Sequence, residues 1–216
     1  MKSHFETLTS LLEEKIVAIV RLDSGEQLVH AAEALIAGGI SVIEFTFSTP
    51  GALDMLKEAS AHFGDEVLLG AGTVLDPETA RAAILAGAQF IVTPSVNLAT
   101  IEMCKRYGKP IVAGAMTPTE IMTVWEAGAD LVKVFPASAI GGPDYIKAVL
   151  APLPQLRLVP TGGVSADNAA QFLKAGAVAV AVGGNLVDKK AVARGDWAAI
   201  TAEAQRLVAA VRSASA

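Results

Sequence analysis

The chain of 216 residues holds one cysteine, Cys104, so no intrachain disulfide can form. Its context, "IEMCKRYG", is helical, and there a thiol reads as a small apolar residue. Aromatic residues make up only 5% and charged residues 18%, with a formal net charge of −5. No basic stripe is available to replace counterions, which argues against nucleic acid or an anionic membrane surface as partner. No segment reaches the roughly 18 consecutive apolar residues that a membrane span requires. The longest apolar segment, "AGAVAVAVGGNLV", is broken by glycines. The opening "MKSHFETLTSLLEEK" lacks the apolar core of a signal peptide and reads as an amphipathic helix. His4, His30 and His62 fall in helical segments, and no two are spaced with a carboxylate as metal ligands would be. No metal and no cofactor is expected, and the default location is cytoplasmic.

What the sequence does hold is aliphatic. Residues classed as hydrophobic reach 52%, mostly Ala, Val, Ile and Leu, the mixture found in strands buried on both faces. Short runs of them alternate with Ala-rich helical segments at a nearly constant spacing. The predicted strands are "IVAIVR" (16–21), "SVIEFTF" (41–47), "VLLGAGT" (67–73), "FIVT" (90–93), "IVAG" (111–114), "LVKVFP" (131–136), "LRLVPTG" (156–162) and "VAVAVGG" (178–184). Several intervening helices end in glycine, as in "EALIAGG", "AAILAGA", "VWEAGA" and "FLKAGA". Their starts carry caps or first-turn prolines, as in "STPGALDML", "LDPETARAA", "MTPTEIMTV" and "SADNAAQFL".

Eight strand–helix units without a linker predict one domain over 1–216, α/β in class. The expected architecture is a single (β/α)8 TIM barrel with an extra N-terminal helix covering its bottom. A doubly wound open sheet is the alternative, weakened by the lack of a glycine-rich fingerprint after the first strand. In a barrel, chemistry belongs at the C-terminal ends of the strands.

Two charged residues sit inside apolar strands. Lys133 lies in "LVKVF" and Glu44 in "SVIEFTF". Strand alternation puts Val42, Glu44 and Thr46 on one face, and Leu131, Lys133 and Phe135 on one face. If both faces point inward, a carboxylate and an amine share a poorly solvated interior. One reading is a buried salt bridge that fixes register, though such pairs are costly to bury. The other is a Schiff-base lysine with a carboxyl group that carries protons.

The last two strands end in "PTGGVSADN" and "VGGNL", Gly-Gly turns expected to run into helices. Loops there commonly hold phosphate, through backbone N–H groups and helix dipoles. Thr73 in "GAGTV" offers a hydroxyl for a carboxylate. Arg21, at the end of the first strand, is either a second contact for that anion or a rim arginine. Pro94 in "TPS" shapes a turn and a pocket wall. Three functions compete on these residues: a lyase, a phosphosugar isomerase or epimerase, and a catalytically silent phosphate-binding barrel. Only the first needs an amine amid apolar residues.

The series "EFTFSTP", "GAGTVLDPETA", "FIVTPS", "GAMTPTE", "LVKVFPAS" and "VPTGGVSADN" closely resembles the bacterial 2-keto-3-deoxy-6-phosphogluconate (KDPG) aldolases. These are class I aldolases, some of which also cleave 4-hydroxy-2-oxoglutarate. The likeness runs from "KIVAIVR" through "VGGNL". It implies a homotrimer of (β/α)8 barrels without a metal, taking a phosphorylated keto-acid and pyruvate. It places the Schiff base on Lys133 and proton transfer on Glu44. Thr73 takes the pyruvyl carboxylate, and Phe135 and Pro94 line the pocket. Gly162, Gly163, Gly184 and Asn185 hold the 6-phosphate. Thr161 resembles the gluconate enzymes, whereas galactonate-specific members look like "VGG" there. Ser48 stands where some gluconate enzymes carry a carboxylate-binding arginine, so that role passes to Arg21 or lapses. Asn185 replaces a serine that often contacts phosphate, and "AIGGPDY" has one glycine more than the usual turn.

Overall fold

The computed structural model describes residues 2–22, 24–48 and 50–214; Thr49 of the "STP" segment lies outside them. Its eight strands are β1 (Ile16–Val20), β2 (Val42–Thr46), β3 (Leu68–Gly72), β4 (Phe90–Val92), β5 (Ile111–Ala115), β6 (Leu131–Val134), β7 (Leu158–Pro160) and β8 (Val180–Val182). All are parallel, in the order β7-β6-β5-β4-β3-β2-β1-β8. The seam between β7 and β8 is closed by an isolated bridge from Thr161 to Ala181. The Val178 N–H donates to the Leu158 carbonyl at 3.0 Å just below it. The sheet is therefore a barrel, tightest between neighbours in sequence and thinnest at this seam.

Ten α-helices accompany these strands among the described residues. The first, α1 (His4–Glu14), opens with a capping box between Ser3 and Glu6. Its Leu8, Leu11 and Leu12 join the inward-facing Val17, Val42, Leu68 and Leu131 in one cluster, so α1 plugs the barrel's N-terminal end as expected. The remaining helices are α2 (Gly25–Ala37), α3 (Ala52–Phe63), α4 (Pro77–Leu85), α5 (Leu98–Arg106), α6 (Pro118–Glu126), α7 (Gly142–Leu150), α8 (Ala169–Lys174), α9 (Lys189–Ala193) and α10 (Trp197–Ala214). A second, larger cluster fills the layer between strands and helices. Burial on both faces is what the continuous Val/Ile/Leu runs called for.

Helix boundaries follow local chemistry, with two corrections. Asp76 and Thr117 cap α4 and α6, each followed by a first-turn proline. Gly39, Gly87, Gly128 and Gly176 all take positive φ just past their helices. In "STPGALDML", however, α3 starts after Gly51 (φ 78) with no side-chain cap, so Pro50 precedes the helix. In "SADNAAQFL", neither Asp167 nor Asn168 caps α8. Asp167 accepts from Arg206 at 2.9 Å, while Asn168 bridges the Ser165 N–H and the Gly163 carbonyl. The helices that follow the two glycine turns, α8 and α9, are short, and α8 begins only at Ala169, so the turns do not run straight into helix N-termini.

Candidate active site

Inward-facing positions recur every second residue, and near the C-terminal ends the repeat reaches polar groups. On β1 the series is Val17, Ile19, Arg21; on β2 it is Val42, Glu44, Thr46; on β6 it is Leu131, Lys133, Phe135. Register sets Glu44 beside Ile19 and Gly70, and Lys133 beside Gly114 and Val159. The neighbouring glycines supply room. A Cβ on Gly70 would overlap the Phe90 ring, and one on Gly72 would overlap the Glu44 carboxylate. One on Gly114 would strike the backbone of Pro94 and Ser95, the turn that follows β4.

The result is a cavity of about 550 Å³ at the C-terminal mouth of the barrel. Every residue expected to act in catalysis or substrate binding lines it. From the early strands come Arg21, Glu44, Thr73 and Pro94; from β6 come Lys133 and Phe135. The β7 and β8 turns contribute Thr161, Gly162, Gly163, Gly184 and Asn185. A hollow of about 660 Å³ lies at the opposite end, beside α1 and Arg212. Glu14 at that end is committed to the Ser41 and Val42 amides and the Ser41 hydroxyl.

Glu44 is 1% exposed and Lys133 6%. Neither Glu44 oxygen has a hydrogen-bond partner among the described residues. No ion pair within 4.0 Å joins it to Lys133. The register-fixing salt bridge is thus not formed. Burial raises the Glu44 carboxyl above its ordinary 4.5, and the charges of Lys133 and Arg21 pull it back. Enclosure of this kind disfavours the charged form of a carboxyl. The Lys133 Nζ lies 5.4 Å from the Phe135 ring centre, a distance at which a cation is attracted to the ring face.

Thr73 has φ 56. A β-branched residue in the left-handed region is an outlier that costs on the order of 1–3 kcal/mol. Neither its amide nor its hydroxyl donates to a protein acceptor among the described residues.

At the other side of the cavity the two glycine turns are tied together. The Asn185 Nδ2 donates to the Val164 carbonyl at 2.9 Å, so that side chain braces the site. The main-chain N–H groups of Gly162, Gly163, Gly184 and Asn185 donate to no protein acceptor among the described residues. Such a cluster of free amides is a ready anion cradle. Gly162 (φ 92) and Gly163 (φ 76) need left-handed backbone, and Gly163 also packs against Ser138. Thr161 is buried, its hydroxyl donating to the Val159 carbonyl at 3.4 Å.

Other chemistry-bearing residues lie elsewhere. Cys104 is buried in α5, its thiol pushed up to about 12 by burial and then by the charge of Asp130. His4 meets Asp130 at 2.7 Å, and His30 and His62 both face Glu33 on the outer surface. Sequence reasoning missed one cation on the cavity wall, Lys189 at the start of α9. Its only signal was a lysine shortly after the "VGGNL" turn.

A family model described as KDPG and KHG aldolase matches residues 8–203. The chain belongs to that aldolase family. A 2-dehydro-3-deoxy-phosphogluconate aldolase of Treponema pallidum (strain Nichols) is 38% identical over 201 residues, covering 93% of this chain and 95% of the relative. A 2-dehydro-3-deoxy-6-phosphogalactonate aldolase of Escherichia coli (strain K12) is 38% identical over 173 residues, covering 79% and 83%. Among solved structures, the KDPG aldolase of Legionella pneumophila, with pyruvate captured as a covalent carbinolamine, has a TM-score of 0.87. It is 29% identical and covers 93% of this chain and 97% of its own. These aldolase structures share the barrel described above.

Proposed function

We propose that the protein is a class I aldolase that reversibly cleaves KDPG to pyruvate and glyceraldehyde 3-phosphate, with 4-hydroxy-2-oxoglutarate as a further substrate. The observation that carries this reading is the buried Lys133 and Glu44, facing one cavity with no ion pair between them and, among the described residues, no hydrogen-bond partner for either Glu44 oxygen. A salt bridge would spend both; an aldolase needs both free.

The Lys133 amine attacks the C2 ketone to form a carbinolamine. Glu44, raised by burial, holds a proton that it hands to the departing hydroxyl as water leaves. The resulting iminium carries a fixed positive charge, which now favours the Glu44 carboxylate. That carboxylate accepts the C4 hydroxyl proton, the C3–C4 bond breaks, and its electron pair moves into the iminium to give an enamine. Glyceraldehyde 3-phosphate leaves as the aldehyde product. Protonation of the enamine at C3 and addition of water then release pyruvate and the free amine. No metal is required, because the iminium is the electron sink.

Binding at both ends makes this cleavage effectively unimolecular. Thr73 and Arg21 hold the carboxylate; Phe135 and Pro94 form the apolar walls. The free amides of Gly162, Gly163, Gly184 and Asn185 cradle the phosphate. Thr161 reads the C4 hydroxyl and favours the gluconate epimer over the galactonate one. The enzyme works as a cytoplasmic homotrimer. Exposed Leu75, Leu85 and Leu98, on and around α4 and α5, supply apolar surface for such an assembly.

Borohydride trapping with pyruvate, followed by peptide mapping, tests the reading. A reduced pyruvyl adduct on Lys133 is expected, absent in Lys133→Arg because a guanidinium does not form the imine. A folded protein that gives no adduct, or a Lys133→Arg variant that still turns over, refutes covalent catalysis here.

A further inference from the structure

Three cationic side chains line the cavity: Arg21, Lys133 and Lys189. They are not equivalent. The charges of Lys133 and Arg21 bear on the Glu44 carboxylate, whereas Lys189 is not among the groups that do. Lys189 instead follows the turn in which the Leu186 and Val187 amides close back on the Gly183 carbonyl. That places it beside the β8 glycine turn.

Its charge is also uncommitted. No carboxylate pairs with Lys189 among the described residues. The adjacent Asp188 spends its oxygen on the Lys190 and Ala191 amides, and the charges that act on it are those of Lys190 and Arg194. Lys189 additionally borders a small hollow of about 130 Å³ together with Arg21 and Gln27. Its side chain therefore stands on the partition between two hollows, free to reach into the larger one.

An anion cradle built only of main-chain amides recognises oxygen lone pairs and discriminates little between one negative charge and two. An ammonium on the same cavity wall adds a charge-dependent contribution, larger for a dianion than for a monoanion. We propose that Lys189 is a specificity-determining residue, selecting keto-acids with a distal phosphate over those with a distal carboxylate or hydroxyl. The inference rests on the aldolase reading and extends it to substrate choice.

The test compares Lys189→Met, Lys189→Arg and, as a neighbour outside the cavity, Lys190→Met. In Lys189→Met the ratio of kcat/KM for KDPG over 4-hydroxy-2-oxoglutarate should fall roughly tenfold or more, mainly through KM for KDPG. Inhibition by inorganic phosphate should weaken in parallel. Lys189→Arg should restore most of the ratio, and Lys190→Met should leave it unchanged. Borohydride trapping of pyruvate on Lys133 should persist in every variant. An unchanged ratio in Lys189→Met, with trapping intact, overturns the role of Lys189 alone. A loss in kcat equal for both substrates, not rescued by arginine, also overturns it, since that marks a structural lysine. Absence of trapping in the unmodified protein would instead sink the aldolase reading.

Discussion

Gly72 on β3 and Glu44 on β2 occupy a single space: a Cβ on the glycine would overlap the carboxylate of the glutamate. Strand pairing sets Thr46 opposite Gly72, so the Glu44 side chain leans toward the strand's C-terminal end across its neighbour. Gly72 is absent from the residues with positive φ. Alanine would meet no backbone penalty there, only the carboxylate. Gly72→Ala should therefore fold and still trap pyruvate, while kcat for cleavage falls by about tenfold to a hundredfold, because a displaced acid–base group loses its alignment. Steady-state kinetics beside a thermal melt check this. Wild-type kcat in the alanine variant would mean that proton transfer does not depend on where Glu44 stands.

The same carboxyl makes a prediction about stability. Burial raises the folded-state value above the ordinary 4.5 that the unfolded chain would show. Between those two values the folded state binds more protons than the unfolded one. Stability contributed by this group is thus full below about 4.5 and is lost as pH rises through the folded value. Glu44→Gln keeps the shape and cannot ionise. The stability of wild type minus that of Glu44→Gln should decline as pH rises from 4.5, then level off. Urea midpoints across that range measure it. A difference that grows with pH would show Glu44 to be a stabilised carboxylate in the folded protein.

Thr161 sits at the seam where β7 and β8 meet, buried and lining the cavity. Its hydroxyl makes only a 3.4 Å bond to Val159 within the protein. Removing so long a bond should cost less than about 1 kcal/mol. Thr161→Val should accordingly melt close to wild type. The preference for KDPG over its galactonate epimer, as a ratio of kcat/KM, should shrink by about tenfold, because a site that bonds a substrate hydroxyl rejects the wrong isomer by leaving groups unpaired. An unaltered ratio would assign the C4 hydroxyl to another contact.

The strand candidates in the sequence map onto the eight strands with ends differing by a residue or two, since alternation and glycine stops are local signals. Alternation set Glu44 on a face with Val42 and Thr46, and Lys133 on a face with Leu131 and Phe135; that both faces point inward is what the barrel adds. What alternation does not carry is register between strands. The pairing of Glu44 with Gly70 and of Lys133 with Gly114 is a tertiary fact, and so is the space those glycines leave. Asn185 illustrates the same limit. Its side chain braces Val164 on the neighbouring turn, a contact across the seam that no short-range pattern shows. Lys189 escaped notice because lysines at helix starts are common and its position on the cavity wall depends on where the turn after β8 ends.

The two glycine turns differ in why they need glycine, and the difference separates folding from binding. Gly163 has φ 76, and a Cβ there would collide with Ser138. Gly163→Ala should destabilise the protein outright, by left-handed strain on the order of 1 kcal/mol or more plus the steric cost. Gly184 has no positive φ, and a Cβ placed on it meets nothing within 4 Å. Nothing in the fold demands a glycine there. It lines the cavity, however, and its N–H is free among the described residues. If a phosphate approaches that amide, a methyl group would stand beside the incoming oxygens. Gly184→Ala should then keep the wild-type melting temperature, raise KM for KDPG by about tenfold, and weaken competition by inorganic phosphate. Its KM for 4-hydroxy-2-oxoglutarate should change less. A variant that binds phosphate as well as wild type would move the anion site off the β8 turn and onto Gly162 and Gly163 alone.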